Sequence, residues 1–322
     1  MGLTKIDLEK IYRLMIKARV LETRLIKMSK SDDGYFWIGG PGEEAFNVPL
    51  GLLIQKGEGL DYDYCHFHYR ASACLLAMGS PMIDSIRQMA NRSSDPFSGG
   101  RNFVSHYAIK EWNIMPVTSP IEVQYVMAPG TAWAQKKHNA NGITIVTGGD
   151  AGTAEGDFAS CLQWSSRPNM ELPILIIVTN NHYGISTPFD QVHGDSVIAK
   201  RAESFGIKWS TVNGNDPIAS YKKLEEAMNY VRSEKKPFCL EAYVSRLHGH
   251  SSSSGGNRVE NEIDCIEEFE GILIKEQILS EKDCVELKET YEKEALDALK
   301  QVREEPFPLA DTVFQHIYKE TK

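Results

Sequence analysis

Two continuous apolar segments in the middle of the chain constrain its fold most strongly. Ile143–Thr147 is a short β-branched run followed by a Gly-Gly-Asp turn, and Leu172–Val178 is a second apolar run that leads into an Asn-Asn turn. A helix is predicted between them, from Glu155 to about Gln163. Strands that are apolar on both faces are typical of parallel sheets covered by helices and built from βαβ units. The sequence therefore predicts an α/β fold around a buried parallel sheet.

The surrounding sequence fits the same architecture. Two more strands are predicted at Phe205–Val212 and Pro237–Val244, with a helix around Ile218–Val231 between them. The simplest fold is a doubly wound, mostly parallel sheet with helical additions at both ends. We expect a single domain over residues 1–322, with its core at about residues 40–250.

The two ends of the chain are predicted to be helical. Apolar residues recur at helical spacing over residues 5–30, which indicates an amphipathic helix. The C-terminal part, at about residues 260–322, is acidic and contains predicted helical segments near Glu281–Arg303 and Leu309–Lys319. Between residues 40 and 115 the pattern is mixed, and we assign no firm elements there.

Charge and cysteine content exclude several classes of protein. The net charge is −9, from 35 basic and 44 acidic residues, whereas nucleic-acid and anionic-membrane surfaces need an excess of Lys and Arg. No segment approaches the roughly 20 continuous apolar residues that span a bilayer. The six cysteines are scattered and form no Cys-x-x-Cys pair, which favours reduced thiols over disulfides or a zinc site. With no secretory signal at the N-terminus, we expect a cytoplasmic protein.

The polar turns after the two central strands carry the candidate chemistry. Asp150 follows the first strand and Asn181 the second, 31 residues later, and one βαβ crossover brings such strand ends together. Carboxylate and amide oxygens suit Mg²⁺, which binds hard oxygen ligands at ~2.1 Å and often keeps phosphate oxygens. Gly149, Gly152 and Gly156 let backbone approach a bulky anion, and the following helix presents its N-terminus. The pattern predicts a site for a metal-bound diphosphate.

Either turn alone is usually structural, but their conjunction resembles a known motif. GDAGTAEGDF and, about twenty residues later, TNNHYGISTP resemble the thiamine-diphosphate motif, and more narrowly the α subunits of 2-oxoacid dehydrogenases. The resemblance implies that Mg²⁺ is bound by Asp150, the Asn181 side chain and the carbonyl of Tyr183. The chain departs at one point, where Ala151-Gly152 replaces the more frequent order Gly-Ala.

Other segments extend the resemblance over about residues 19–320. Tyr69-Arg70 matches a pair whose arginine binds the terminal phosphate, although an arginine is more often a surface ion-pair partner. His250, in Arg246–Ser251, matches a histidine that touches the diphosphate and faces the reacting centre, and it is the implied catalytic residue; a solvated histidine is the alternative. The implied cofactor contacts are Tyr69, Arg70, Ser119, Ile121, Gly149, Asp150, Ala151, Gly152, Asn181, Tyr183, Ile185 and His250.

Two segments bear on the branch of the family. Residues 99–107 and 118–124 resemble branched-chain members, whereas the spelling His-Gly-His-Ser is commoner in pyruvate members. Some branched-chain enzymes bind potassium through the second segment. Here Val123 replaces an expected threonine and Thr118 a serine, which argues against a potassium ion.

The resemblance also implies partners. Thiamine chemistry needs a carboxylate against the aminopyrimidine ring, and we identify no candidate for it in this chain. In two-chain members a β subunit supplies this carboxylate, so we expect an α₂β₂ tetramer that decarboxylates a 2-oxoacid, favouring a branched-chain one, and passes the acyl group to a lipoyl-bearing transacylase. The alternatives are a pyruvate or acetoin dehydrogenase α subunit, and a non-catalytic binding or regulatory subunit that retains the fold.

Overall fold

A computed structural model describes residues 3–315 and residue 317. Its main sheet has five parallel strands in the order β1-β2-β3-β7-β6, and a separate two-stranded antiparallel hairpin is formed by β4 and β5. The strands are β1 Tyr64–His66, β2 Thr144–Gly149, β3 Ile174–Asn180, β4 Tyr183–Gly184, β5 Thr187–Pro188, β6 Lys208–Asn213 and β7 Phe238–Tyr243. The predicted α/β fold with a mostly parallel sheet is therefore confirmed.

Helices cover both faces of the main sheet. They are α1 Lys5–Met28, α2 Glu44–Leu53, α3 Ser72–Ala77, α4 Met82–Met89, α5 Gln124–Lys137, α6 Gly156–Ser165, α7 Phe189–Val192, α8 Pro217–Glu234, α9 Cys265–Lys275 and α10 Glu281–Glu304. Short 3-10 helices are formed by Lys110–Trp112, Ala151–Ala154, Ala199–Phe205, Ser252–Ser254 and Ala310–Phe314. Side chains of β3 alternate between two cores, with Leu175 and Ile177 packing towards α2 and α8, and Ile174 and Ile176 towards α5 and α6. This alternation explains the uninterrupted apolar run, because both faces of the strand are buried.

The predicted elements match the structure more closely in the centre than at the edges. Residues 199–205 form a 3-10 helix that ends at Gly206, so the strand predicted from Phe205 begins only at Lys208. The segment Ala310–Phe314 is a short 3-10 helix rather than the start of a longer helical segment reaching Lys319. Residues 316, 318 and 319 of that prediction lie outside the described part.

The N-terminal and C-terminal additions pack against each other. Helix α1 begins at a capping box between Thr4 and Asp7, which satisfies free N–H groups of its first turn. Its buried face joins one apolar core with α4, α9 and α10. Arg19 on α1 also pairs with Glu44 at 2.6 Å and Asp264 at 2.7 Å. The two additions therefore form one helical layer beside the sheet.

None of the helices in the described residues is long and apolar enough to cross a membrane. All six cysteines are free thiols buried in the interior.

Candidate functional site

The site lies where β2 and β3 end side by side. Gly149 is in register with Thr179, and the N–H of Asp150 donates to the carbonyl of Thr179 at 3.2 Å. Asp150 and Asn181 therefore sit at the carboxyl ends of neighbouring strands, where open parallel sheets bind their ligands. A cavity of about 280 Å³ opens beside Asp150.

Ten of the twelve predicted cofactor contacts line this cavity. They are Tyr69, Arg70, Ile121, Gly149, Asp150, Ala151, Gly152, Tyr183, Ile185 and His250. Asn181 is buried and does not line the cavity, and its Oδ1 accepts the N–H of Tyr183 at 3.2 Å. Ser119 does not line the cavity, and its hydroxyl lies 2.9 Å from Nε2 of His106. The structure thus brings together segments that are far apart in sequence, while these two residues take other partners.

The main chain of Asp150 is held by hydrogen bonds, whereas one oxygen of its carboxyl has no partner among the described residues. Its carbonyl oxygen accepts the Thr153 hydroxyl at 2.6 Å and lies 3.0 Å from Nε2 of His193. Arg201 donates to the carbonyl of Thr153 at 3.1 Å, which fixes the same turn from outside. Within residues 3–315, Oδ2 of Asp150 is buried and has no hydrogen-bond partner. Burial raises the pKa of this carboxyl.

A buried carboxylate oxygen without a partner is costly, so its position fits a bound cation. The described residues contain no cluster of three or more His, Cys, Asp or Glu side chains suited to a metal ion. A cation at Asp150 would therefore need neutral oxygens and an anion as further ligands. The amide of Asn181 and backbone carbonyls of the turn after β3 are hard oxygen groups of this kind.

Arg70 lies across the floor of the cavity. Its Nε meets Oε1 of Glu43 at 2.6 Å as an ion pair, although the two atoms are not aligned as a hydrogen bond. A Cβ at Gly149 would lie 2.5 Å from the terminal nitrogen of Arg70, so a larger residue there would displace the guanidinium. The neighbouring carboxylates, Glu43 first, keep the pKa of Arg70 above its ordinary value even though burial lowers it. Arg70 is therefore a permanent positive charge facing the cavity.

His250 is held neutral in this chain. Burial, followed by the charges of Arg70 and Arg246, lowers the pKa of His250 to about 4. Its ring stands edge-on to Tyr69, with 6.0 Å between the ring centroids. The predicted hydrogen-bonding role is therefore one for a neutral imidazole near pH 7, and not for a group that changes charge there.

Sequence analysis missed three buried residues of the site. Glu43 pairs with Arg70, and it lies in the region where the sequence predicts no firm element. Glu122 lines the cavity with its carboxyl at the Gly149–Gly152 turn, and burial raises its pKa to about 8. His68 also lines the cavity, and burial holds its pKa well below the ordinary value. The sequence offered only proximity to predicted site residues as a sign of these positions: Glu122 follows Ile121 directly, and His68 lies two residues before Arg70.

Comparison with known proteins identifies the family of the chain. The family described as Dehydrogenase E1 component matches residues 12–311. The 2-oxoisovalerate dehydrogenase subunit alpha of Bacillus subtilis (strain 168) is 27% identical, over 99% of this chain and 97% of its own length. Mitochondrial proteins of the same name from Mus musculus and Homo sapiens are 27% and 26% identical over 97% of this chain, covering 71% and 70% of their lengths. The chain belongs to the dehydrogenase E1 component family.

Proposed function

We propose that this chain is the α subunit of a thiamine-diphosphate-dependent 2-oxoacid dehydrogenase and binds the cofactor through Mg²⁺. Membership of the E1 component family implies thiamine diphosphate. The observation that carries the metal assignment is the buried, unpartnered Oδ2 of Asp150 beside Arg70. In this proposal Asp150, Asn181 and the carbonyl of Tyr183 hold the metal.

The charges of the cavity support a metal-bound anion rather than a bare one. Arg70 faces the carboxyl groups of Glu43 and Asp150, and its ion pair with Glu43 offsets its charge, so a bare diphosphate would be repelled by the Asp150 carboxyl. A divalent cation on Asp150 compensates both the carboxylate and the phosphates. The N-terminus of α6 begins at Gly156, directly after this turn, and its free N–H groups favour an anion.

The remaining residues have distinct proposed tasks. Arg70 binds the terminal phosphate, and His250, as the catalytic residue, donates a hydrogen bond to phosphate or to a developing oxyanion. Ile121 and Ile185 line the outer part of the cavity and are about half exposed, which leaves apolar surface for the organic part of the cofactor and for a partner chain. Thiamine diphosphate supplies the carbon chemistry when bound, while these residues supply orientation and electrostatics.

A β subunit completes the proposed site. Among the described residues, Glu122 and Glu155 are the glutamates that line the cavity; Glu122 is wedged at the Gly149–Gly152 turn and Glu155 directly precedes α6, so we assign neither of them to the aminopyrimidine ring. An exposed apolar groove between α5 and α6 gives a partner a surface to cover. We propose an α₂β₂ enzyme that decarboxylates a 2-oxoacid and acylates the lipoyl group of a transacylase, with branched-chain substrates favoured by the similarity to 2-oxoisovalerate dehydrogenases.

The test is a decarboxylation assay of the chain co-expressed with a β-type partner. Branched-chain 2-oxoacids and pyruvate are compared at matched concentrations by release of CO2, and acetoin, which carries no carboxyl group, by acylation of the lipoyl acceptor; Asp150→Ala is the control. We expect turnover that depends on thiamine diphosphate, Mg²⁺ and Asp150, and that is highest with a branched-chain 2-oxoacid. Preference for pyruvate or acetoin would change the substrate assignment. Failure of every substrate, with no thermal shift on adding cofactor and Mg²⁺, would favour a non-catalytic subunit.

A further inference from the structure

The carboxyl group of Glu122 is inserted between two glycines at the end of β2. Its Oε1 accepts the N–H of Gly149 at 3.1 Å, and its Oε2 accepts the amide of Gln124 at 2.7 Å. A Cβ placed on Gly148 would overlap Oε2, and a Cβ placed on Gly152 would overlap Oε1 and the carbon atoms of the same side chain. Glu122 is only 1% exposed and both of its carboxyl oxygens accept hydrogen bonds, so a methyl group at position 152 would push it out of those bonds.

Gly152 is required by space and not by backbone conformation. Its φ does not lie in the left-handed region that favours glycine, so an alanine could adopt the backbone without strain. What excludes a methyl group is the Glu122 side chain. At the neighbouring position a methyl group is accommodated, because the Cβ of Ala151 lies beside Gly184. A Cβ placed on Gly184 would lie only 2.6 Å from the Cβ of Ala151. The order Ala151-Gly152 is thus matched to the residues that face each position.

Glu122 links the loop to the rest of the site through hydrogen bonds. The Gln124 amide that donates to Glu122 also donates to the carbonyl of Thr147 in β2 at 3.1 Å. Gly149, whose N–H is held by Glu122, lies directly before Asp150 and beside Arg70. A displacement of the Glu122 carboxyl would therefore move the turn that carries Asp150.

We propose that Glu122 and Gly152 are a size-matched pair, in which Glu122 is a positioning residue that holds the loop Gly149–Ala154 in shape for the metal-bound diphosphate. The second part rests on the proposed function. The proposal assigns a role to a buried carboxyl that has no part in the proposed metal binding and phosphate contacts.

The experiment is a double-mutant cycle with a shape-preserving control. The variants are Gly152→Ala, Glu122→Ala, Glu122→Gln, and both Glu122 substitutions combined with Gly152→Ala. Unfolding in urea is measured on each chain without cofactor. The dissociation constant for thiamine diphosphate with Mg²⁺ is measured by calorimetry on each complex with the β subunit.

We expect Gly152→Ala to weaken cofactor binding by about tenfold in the wild-type and Glu122→Gln backgrounds, and by less than about twofold in the Glu122→Ala background. Alanine at 122 removes the bulk that collides with the new methyl group, whereas glutamine keeps it. We also expect Glu122→Gln to lose less affinity than Glu122→Ala, which loses about tenfold, because the glutamine oxygen still accepts the Gly149 N–H although its NH2 group cannot accept from the Gln124 amide.

If Gly152→Ala reduces cofactor affinity by the same factor in all three backgrounds, the pair is overturned. It is also overturned if the Gly152→Ala chain has the cofactor affinity and the unfolding free energy of wild type. If Gly152→Ala fails to fold, folding of the double alanine variant supports the pair, and its failure contradicts it. Equal cofactor affinity in Glu122→Ala and wild type would overturn the positioning role. If the wild-type complex binds no cofactor, the proposed function and the positioning role are both wrong. The size-matched pair is then still tested by urea unfolding, which supports it if Gly152→Ala destabilises the wild-type chain more than the Glu122→Ala chain.

Discussion

At Asp150 the backbone and the side chain are held to different degrees. The backbone is fixed by Thr153, His193 and the end of β3, whereas Oδ2 is buried without a partner among the described residues. Such an arrangement destabilises the folded chain, because a buried oxygen without a partner has lost its hydrogen bonds to water. A bound cation would restore that interaction. The cost in the empty chain is therefore an argument for ligand binding.

Replacing Arg70 by methionine should separate folding from cofactor binding. The substitution leaves the Glu43 carboxylate buried and unpaired, so we expect it to lower the free energy of unfolding by about 3–5 kcal/mol. The double variant Glu43→Gln/Arg70→Met should recover part of that stability, because it no longer buries a lone charge. Neither variant should bind the cofactor with wild-type affinity, because both lack the phosphate ligand. Urea unfolding and calorimetry give the two readouts, and full recovery of affinity in the double variant would remove Arg70 from the phosphate site.

Glu122 should make the cofactor-free chain less stable as pH rises. Burial raises its pKa from an ordinary 4.5 to about 8, so the folded chain holds the proton over that interval while the unfolded chain releases it. The associated stability is complete below pH 4.5 and is lost as pH rises to about 8. The permanently neutral Glu122→Gln should therefore gain stability over wild type with increasing pH, by roughly 1.4 kcal/mol per pH unit at most. Urea unfolding of both chains between pH 5 and 8.5 without metal tests this prediction. A difference in unfolding free energy between Glu122→Gln and wild type that does not change with pH would contradict it.

The sequence reveals a site residue when that residue belongs to a recognisable local motif. Asp150, Arg70 and His250 stand in segments that resemble a known family, and all three line the cavity. Glu43 and Glu122 were missed because a glutamate is ordinarily solvated, and only the fold shows that these two are buried. The neutral state of His250 was also missed, since it results from burial and from arginines in other segments.

At the scale of elements, α5 and α6 stand out because they leave an apolar groove in contact with solvent. Trp133, Trp164, Val126 and Met170 line it and are more than a third exposed. Helix α5 begins at Gln124, close to the cavity residues Ile121 and Glu122. Contiguous apolar surface of this kind marks interaction sites, and its position suits the proposed β subunit.

A charge placed in this groove should weaken assembly without unfolding the chain. Trp164 is 54% exposed, so Trp164→Glu costs little in the isolated chain but would bury a charge in an interface. We expect at least about tenfold less β subunit to co-purify with this variant. Ile6→Glu is the matched control, because Ile6 is an apolar residue 78% exposed on α1, outside the groove. Equal co-purification of the two variants would place the partner elsewhere.

The predictability of each element follows from its length and pattern. β2 and β3 were predictable because both of their faces are apolar. β1 has only three residues, too few for a periodic signal, and so the region around it was left unassigned. The strand predicted from Phe205 started too early because an apolar residue at the end of a 3-10 helix looks like the start of a strand.

At the scale of the whole molecule, the helical additions form a core of their own, whereas the sheet carries the site. Helices α1, α9 and α10 share a core on one side, tied to α2 through Arg19 and Glu44. Sequence periodicity predicted helices at both ends, but not that they would pack together, since that contact joins residues more than 200 positions apart. The site occupies the carboxyl ends of the strands, so its geometry depends on the sheet register more than on these additions.

The central claim is that the carboxylate after β2 holds a metal-bound diphosphate. Calorimetric titration of thiamine diphosphate with Mg²⁺ into the complex with the β subunit, comparing wild type with Asp150→Asn, tests it most directly. Asparagine keeps the size of the side chain but removes the charge, so we predict at least about a hundredfold loss of affinity while urea unfolding of the chain stays close to wild type or improves. Unchanged cofactor affinity in Asp150→Asn would contradict the account.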